Sequence, residues 1–97
     1  MDNQIHATCV AIDQHGVLIQ GPSGSGKSDL ALRLIDDGGI LVADDRTNLL
    51  FKNNLVVASP PIPLAGLIEA RGMGILSLIY QPECSISLII NLTLKRQ

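Results

Sequence analysis

Gly21-Pro22-Ser23-Gly24-Ser25-Gly26-Lys27-Ser28 is the stretch that decides how this 97-residue chain is read. It has the form G-x-x-x-x-G-K-S. Glycines at these places let backbone N–H groups turn inward toward a polyphosphate, where a Cβ would crowd it. Lys27 offers a point charge to the β and γ phosphates, and the Ser28 hydroxyl offers a ligand to Mg²⁺. A helix beginning near Ser28 aims its dipole and its free amides at the same anion. The flanks supply the setting this pattern needs. Val17-Leu18-Ile19-Gln20 reads as a short apolar strand before the loop, and Ser28 to Asp37 as a helix after it. The plainer reading, a Gly/Ser turn with a chance lysine, does not account for those flanks.

Working outward, the helix carries Leu30, Ala31, Leu34 and Ile35 as one apolar stripe, with Asp29 and Arg33 paired at i,i+4 on the other side. Gly38-Gly39 ends it. Ile40-Leu41-Val42-Ala43 then forms a short buried strand closed by Asp44-Asp45. A carboxylate at such a strand tip can hold Mg²⁺ or its water, or accept the proton of an attacking hydroxyl. In an extended chain two adjacent acids point to opposite sides, so one faces the site and the other away. Read without the glycine loop, the same pair is a solvated turn.

Upstream of the loop, Ala7 to Ile12 reads as a strand and Asp13-Gln14-His15-Gly16 as a turn, with glycine where positive φ is needed. The loop is therefore entered through an antiparallel hairpin, unlike an all-parallel doubly wound sheet. His6 stands just before that strand. A lone histidine there is ordinarily a surface or packed residue, although histidine can titrate or donate near a phosphate. His15 has no role in this reading.

Downstream, Asn48 to Lys52 and Leu55 to Ser59 make a hairpin around Asn53-Asn54, residues that tolerate positive φ. Pro60-Pro61-Ile62-Pro63 forces an extended connector. In Leu67-Ile68-Glu69-Ala70-Arg71-Gly72-Met73-Gly74-Ile75-Leu76, Glu69 and Arg71 share a face if extended, and the two glycines permit a close approach or an unusual turn. By residue type alone, such E-x-R pairs are mostly surface ion pairs. Leu76 to Tyr80 and Ser85 to Leu94 read as strands, the second alternating with period two as if one face were buried.

Bulk properties bound the class. A chain this short makes one small domain and buries about 60–65% of its unfolded surface. A hydrophobic fraction of 46% excludes disorder, and with one Phe, one Tyr and no Trp the core must be aliphatic. Net charge is −2 without a basic run, so neither a nucleic-acid surface nor a polybasic membrane patch is expected. No apolar run approaches the length of a membrane span, and Met1-Asp2-Asn3-Gln4 is not the start of a signal peptide, so a cytoplasmic location is expected. Cys9 and Cys84 have no metal-ligand spacing and read as small buried residues.

Taken together, His6-Ala7, Gly21 to Ser28, Val42-Ala43-Asp44-Asp45-Arg46 and Leu67 to Ile75 resemble the C-terminal catalytic domain of HPr kinase/phosphorylase, in the short form without the N-terminal domain. The resemblance runs from about His6 to Leu76, and its last stretch is the most specific. It implies an α/β fold, a P-loop nucleotide-binding domain with a mixed β-sheet, over residues 1–97. It also implies an ATP- and Mg²⁺-dependent kinase that phosphorylates a serine of the phosphocarrier protein HPr and, in bifunctional members, removes that phosphate with inorganic phosphate. By motif, Gly21, Pro22, Ser23, Gly24, Ser25, Gly26, Lys27 and Ser28 bind ATP. Lys27 acts on the transferred phosphate, and Ser28 and Glu69 ligate Mg²⁺. Asp45 is the base toward the seryl hydroxyl, His6 is the active-site histidine, and Ile68 to Ser77 is the family signature. Asp29 stands where larger members usually have Glu, and Ala70 where a β-branched residue is common. In the full-length family an arginine-bearing loop and the helices that build a homo-oligomer lie beyond this length. The expected domain is therefore incomplete at its C-terminal side, and the kinase direction is the one the resemblance carries. Two alternatives stand beside it: a catalytically impaired nucleotide-binding regulatory module, and another enzyme with the same loop, such as a small-molecule kinase. The Glu69 to Ile75 stretch argues against the last.

Overall fold

The computed structural model describes residues 3–94. The first hairpin is longer than expected: β1 spans Asn3–Ile12 and β2 spans His15–Gln20, paired antiparallel from Ala7↔Gln20 to Ile12↔His15. Its turn is made by Asp13 and Gln14, both at positive φ (48° and 69°), and not by glycine. Gly16 lies inside β2, where a Cβ would stand 2.6 Å from the Ser85 carbonyl oxygen. Its value is therefore space for a neighbouring strand, not turn geometry.

Beyond the glycine loop, helix α1 runs Lys27–Asp36, one residue earlier than expected. It ends as Gly38-Gly39 predicts. Gly38 sits at φ +110°, its N–H donates to the Ile35 carbonyl, and the Gly39 N–H donates to Leu34, so two end carbonyls are satisfied. The expected Asp29–Arg33 ion pair is not formed. The salt bridge among the described residues is Lys52–Glu83, at 3.3 Å and solvent-exposed. At such exposure an i,i+4 pair gains too little to hold two flexible side chains together.

Strand β3 (Ile40–Ala43) and strand β4 (Arg46–Lys52) lie end to end along one edge of β1. β3 pairs with Cys9–Ala11 and β4 with Asn3–His6. The break between them is Asp44-Asp45. β4 turns through Asn53 and Asn54 (φ 53° and 61°) into β5 (Leu55–Ser59), as the sequence predicts. The proline stretch is not a plain extended connector, because Ile62–Leu64 makes one 3₁₀ turn. A two-strand hairpin follows, β6 (Leu67–Ala70) and β7 (Gly74–Ser77), with Gly72 and Gly74 at positive φ. Leu78 to Tyr80 is not strand; Tyr80 makes only an isolated bridge with Leu41. Strand β8 (Cys84–Asn91) pairs parallel with β2 and, at its first two residues, antiparallel with β5.

These pairings close a ring, β1-β2-β8-β5-β4 and back to β1, with β3 pairing the other end of β1 beyond β4. The mixed sheet and, among the described residues, one ten-residue α-helix match the expected α/β class. Ala7, Cys9, Ala11, Leu18, Val42, Ala58 and Cys84 form one buried cluster. Five of its seven side chains are alanine or cysteine, as suits the narrow interior of a ring of so few strands. The opposite face of β1 and β2 packs under α1, where Val10, Val17, Ile19, Ala31, Leu41 and Ile68 form the second cluster. Both cysteines are buried and free. Burial, then the neighbouring Cys84, pushes the Cys9 thiol up to about 12; burial also raises Cys84.

The expected alternation in β8 is not realised. Leu88 and Ile89 are both 53% exposed, because no described element covers that part of the strand. Among the described residues no helix is long and apolar enough to cross a membrane.

Candidate functional site

The ring and the helix converge on one cleft of about 790 Å³. It is lined by the glycine loop from Gly21 to Gly24, by Gly26, Lys27, Ser28 and Asp29, by Asp44 and Asp45, by Glu69 and Arg71 of the β6–β7 hairpin, and by His6 of β1. Residues drawn from four separate stretches of sequence thus share one wall. Of the expected site residues only Ser25 is absent from that lining.

The loop is shaped by its glycines. Gly24 (φ +82°) and Gly26 (φ +97°) take left-handed conformations, and the Ser25 N–H donates to the Pro22 carbonyl at 3.0 Å. Gly26 caps α1 without any side-chain acceptor, so the helix presents uncapped amides to the cleft. Gly21 has a different task. A Cβ there would stand 2.6 Å from Ser25 Oγ and 2.9 Å from the Leu92 carbonyl oxygen. Leu92 itself donates its N–H to Gln20 at 2.7 Å, so β8 forms the floor under the loop. Ser25 Oγ is buried there without a hydrogen-bond partner. Lys27 folds over the loop mouth, its Nζ donating to the carbonyls of Gly21 (2.8 Å) and Pro22 (3.2 Å).

The two aspartates are not placed as an extended chain would place them. Asp45 sits at φ +66°, and the Arg46 N–H donates back to the Asp44 carbonyl at 2.7 Å. This closes a tight turn with Asp45 at its apex. Alternation fails at that residue, so both acids line the cleft. Asp44 is 8% exposed and Asp45 lies open. Asp44 Oδ1 accepts from Ser28 Oγ (2.7 Å) and Thr8 Oγ1 (2.9 Å), while Oδ2 accepts the Glu69 N–H (3.1 Å). One carboxylate therefore ties β1, α1 and β6 to the tip of β3.

The sequence reading gave Asp45 a role and left Asp44 without one. The available signal was the apolar run before Asp44, which predicts that the first acid after the strand is the buried one. Thr8 is a second omission. It is fully buried beside these acids, but nothing in its type or spacing marks it. Glu69 is exposed on β6, anchored by its neighbour Ile68, which is 1% exposed beneath α1. Arg71 lies past the strand end, in the hairpin turn, rather than in line with Glu69.

The chemistry of this wall is that of an anion site beside hard oxygen donors. Amides and an ammonium group converge from the loop, and the Ser28 hydroxyl and the carboxylates of Asp29, Asp44, Asp45 and Glu69 line the same cleft. No group of three or more His, Cys, Asp or Glu among the described residues can enclose a metal by itself. A hydroxyl and a carboxylate from the protein, completed by phosphate oxygens and water, is the incomplete cage that suits Mg²⁺. The residues present fit a magnesium-bound nucleoside triphosphate.

Comparison with known proteins points the same way. Residues 1–97 match the family described as HPr Serine kinase C-terminal domain. The chain is 41% identical over 98 residues to the HPr kinase/phosphorylase of Lactobacillus acidophilus, covering 93% of this chain and 30% of that protein. It is 34% identical over 96 residues to that of Mycoplasmopsis pulmonis, covering 92% and 31%. Against that of Enterococcus faecalis it is 47% identical over 76 residues, covering 77% and 24%. Among solved structures, the Hpr(Ser) kinase/phosphatase from Coxiella burnetii superposes with a TM-score of 0.84 at 35% identity, over 92% of this chain and 58% of that one. The chain thus spans under a third of the length of these curated relatives.

Proposed function

The chain belongs to the HPr serine kinase C-terminal domain family, and we propose that its cleft binds ATP with Mg²⁺ and passes a phosphoryl group to a serine of the phosphocarrier protein HPr. The observation that carries this reading is that Lys27, Ser28, Asp44, Asp45 and Glu69 line one cavity at the mouth of the glycine loop. In this reading residues 21–28 are a nucleotide-binding P-loop and residues 1–97 act as one kinase domain.

Phosphoryl transfer needs little covalent help from a protein; positioning and charge neutralisation dominate. Magnesium-bound ATP supplies the transferable phosphoryl group and spreads its charge. The uncapped amides of α1 and the loop hold the phosphates, and Lys27 Nζ turns from the Gly21 and Pro22 carbonyls toward them. Ser28 Oγ, its proton already committed to Asp44, keeps lone pairs free for the metal. Glu69, which lines the same cleft, would be the second protein ligand to the metal. Asp45, exposed and raised on its turn, accepts the proton of the seryl hydroxyl and orients it. His6 takes part at the rim. The proposal covers the forward transfer, and it includes a cytoplasmic protein that is homo-oligomeric if assembly does not require the part of the family's domain that lies beyond this length.

A second reading is a nucleotide-binding module that transfers nothing. The observation on its side is Lys27, whose Nζ is held by the Gly21 (2.8 Å) and Pro22 (3.2 Å) carbonyls. One assay separates the two: the protein is incubated with ATP, Mg²⁺ and HPr, and HPr is examined for phosphoserine. Phosphoserine that depends on Lys27 supports the kinase. Saturable ATP binding with no phosphoserine supports the module.

A further inference from the structure

Thr8 is completely buried, yet its hydroxyl is aimed at the two acids of the cleft. Oγ1 donates to Asp44 Oδ1 at 2.9 Å and accepts the Asp45 N–H at 3.2 Å. A hydroxyl has one proton and two lone pairs, so both bonds are made at once without competition. The neighbouring Ala7 N–H donates to the Asp45 carbonyl at 3.0 Å. β1 therefore grips Asp45 on both sides of its Cα, at a residue whose φ of +66° a non-glycine seldom adopts. A valine of the same shape would fill the buried space equally well. The hydroxyl is present for its two bonds.

We propose that Thr8 is a positioning residue for the transfer. By bonding Asp44 and the Asp45 amide together, it holds the Asp45 backbone, and so the point from which its side chain starts, at a set place relative to the Ser28–Asp44 pair. The inference rests on the kinase reading for its effect on rate, but its geometric content is independent of that reading. Thr8 touches no reacting atom; it acts through Asp44 and Asp45.

The test compares Thr8→Val, which keeps shape and loses the hydroxyl, with Thr8→Ser, which keeps the hydroxyl. Four quantities are read: kcat and KM for transfer to HPr, affinity for a fluorescent ATP analogue in EDTA, the thermal midpoint, and hydrogen exchange at the Asp45 amide. The expected result for Thr8→Val is a fall in kcat of about 10–100-fold, the usual size for a group that orients ligands from behind. Its KM and metal-free nucleotide affinity stay near those of the parent, its thermal midpoint falls by several degrees because buried Asp44 loses a donor, the Asp45 amide exchanges faster, and Thr8→Ser recovers most of these losses. Parental kcat in Thr8→Val overturns the inference, as does a serine variant no better than valine. A rate loss that merely follows lost nucleotide affinity, with an Asp45 amide that exchanges as in the parent, overturns it too, since that marks a structural role. Should the parent transfer no phosphate, the kinase reading fails, and the Asp45 amide decides the inference. Faster exchange in Thr8→Val, reversed in Thr8→Ser, supports it, and equal exchange in all three overturns it. If Thr8→Val does not fold, the parent and Thr8→Ser decide: an Asp45 amide protected from exchange in both supports the inference, and one that exchanges as a free amide in both overturns it.

Discussion

Ser28 Oγ and Asp44 Oδ1, 16 positions apart, meet at 2.7 Å, and this bond joins the first turn of α1 to the tip of β3. It fixes the spacing between the glycine loop and the acid cluster before any ligand arrives. Preorganisation of this kind is what a positioning-dominated reaction requires.

Because Asp44 accepts from three donors, its removal strands all of them. Asp44→Ala is expected to destabilise the protein by about 2–4 kcal/mol, a large share of the total stability of a small domain. Ser28→Ala alone is expected to cost less. A double-mutant cycle of Ser28→Ala with Asp44→Ala, read by urea unfolding, should show coupling of about 1–2 kcal/mol. Strict additivity would mean the bond contributes nothing to folding.

The loop glycines should separate by mechanism. Gly21→Ala drives a Cβ into Ser25 Oγ and the Leu92 carbonyl, and one of those contacts is rigid backbone. We expect a loss of about 1–3 kcal/mol, as for an overpacked interior, together with weakened nucleotide binding. Gly24→Ala meets no atom within 4 Å but must hold φ +82°, which costs about 1–2 kcal/mol of backbone strain alone. Crystal structures of the two variants would show Leu92 displaced in the first and unmoved in the second.

Lys27 and Asp45 should divide binding from chemistry. Lys27→Ala is expected to weaken ATP binding by at least about tenfold, the loss of a charge-assisted contact. Asp45→Asn should bind ATP as the parent does and lose about 10²–10⁴ in turnover. Isothermal titration beside a phosphoserine assay measures both. An Asp45→Asn variant with parental turnover removes this residue from the base role.

The buried thiols make stability depend on alkaline pH. The Cys9 pKa is raised from 9.0 to about 12 in the folded protein. Between these values the folded state retains a proton that the unfolded chain releases, so stability is fully present below pH 9 and declines as pH rises toward 12. The slope approaches about 1.4 kcal/mol per pH unit for one such group. Urea midpoints between pH 8 and 11 should fall more steeply in the parent than in Cys9→Ala. Native protein at neutral pH should also react with Ellman's reagent only as fast as it unfolds.

Much of this fold is legible locally. Glycine spacing marks the loop, Asn53-Asn54 marks a hairpin, and Gly38-Gly39 marks a helix end, because each depends on backbone angles that few residues tolerate. The ring is not legible in the same way. The parallel pairing of β2 with β8 joins Leu18 to Ile89, and no local pattern encodes so distant a register. Period-two reading of β8 assumed a covered face, which only tertiary neighbours could decide. The same limit applies in the cleft. Asp44-Asp45 announces acids at a strand tip, but that both line the cleft depends on the φ of Asp45, and Thr8 in a different strand helps to hold it.

The closure of the ring also sets an order of events. Relative to the first hairpin, β8 comes late in the chain: Gln14 and Cys84, which touch at the mouth of the ring, are 70 positions apart. Contacts of such long range form slowly, since the intervening chain must give up its freedom first. Yet Gln20 and Gly21 rest directly on Leu92. A nascent chain can thus build the β1–β2 hairpin and α1 early, while the loop between them stays unset until β8 docks. Nucleotide affinity in a refolding experiment should accordingly be among the last properties to return, well after helical circular dichroism.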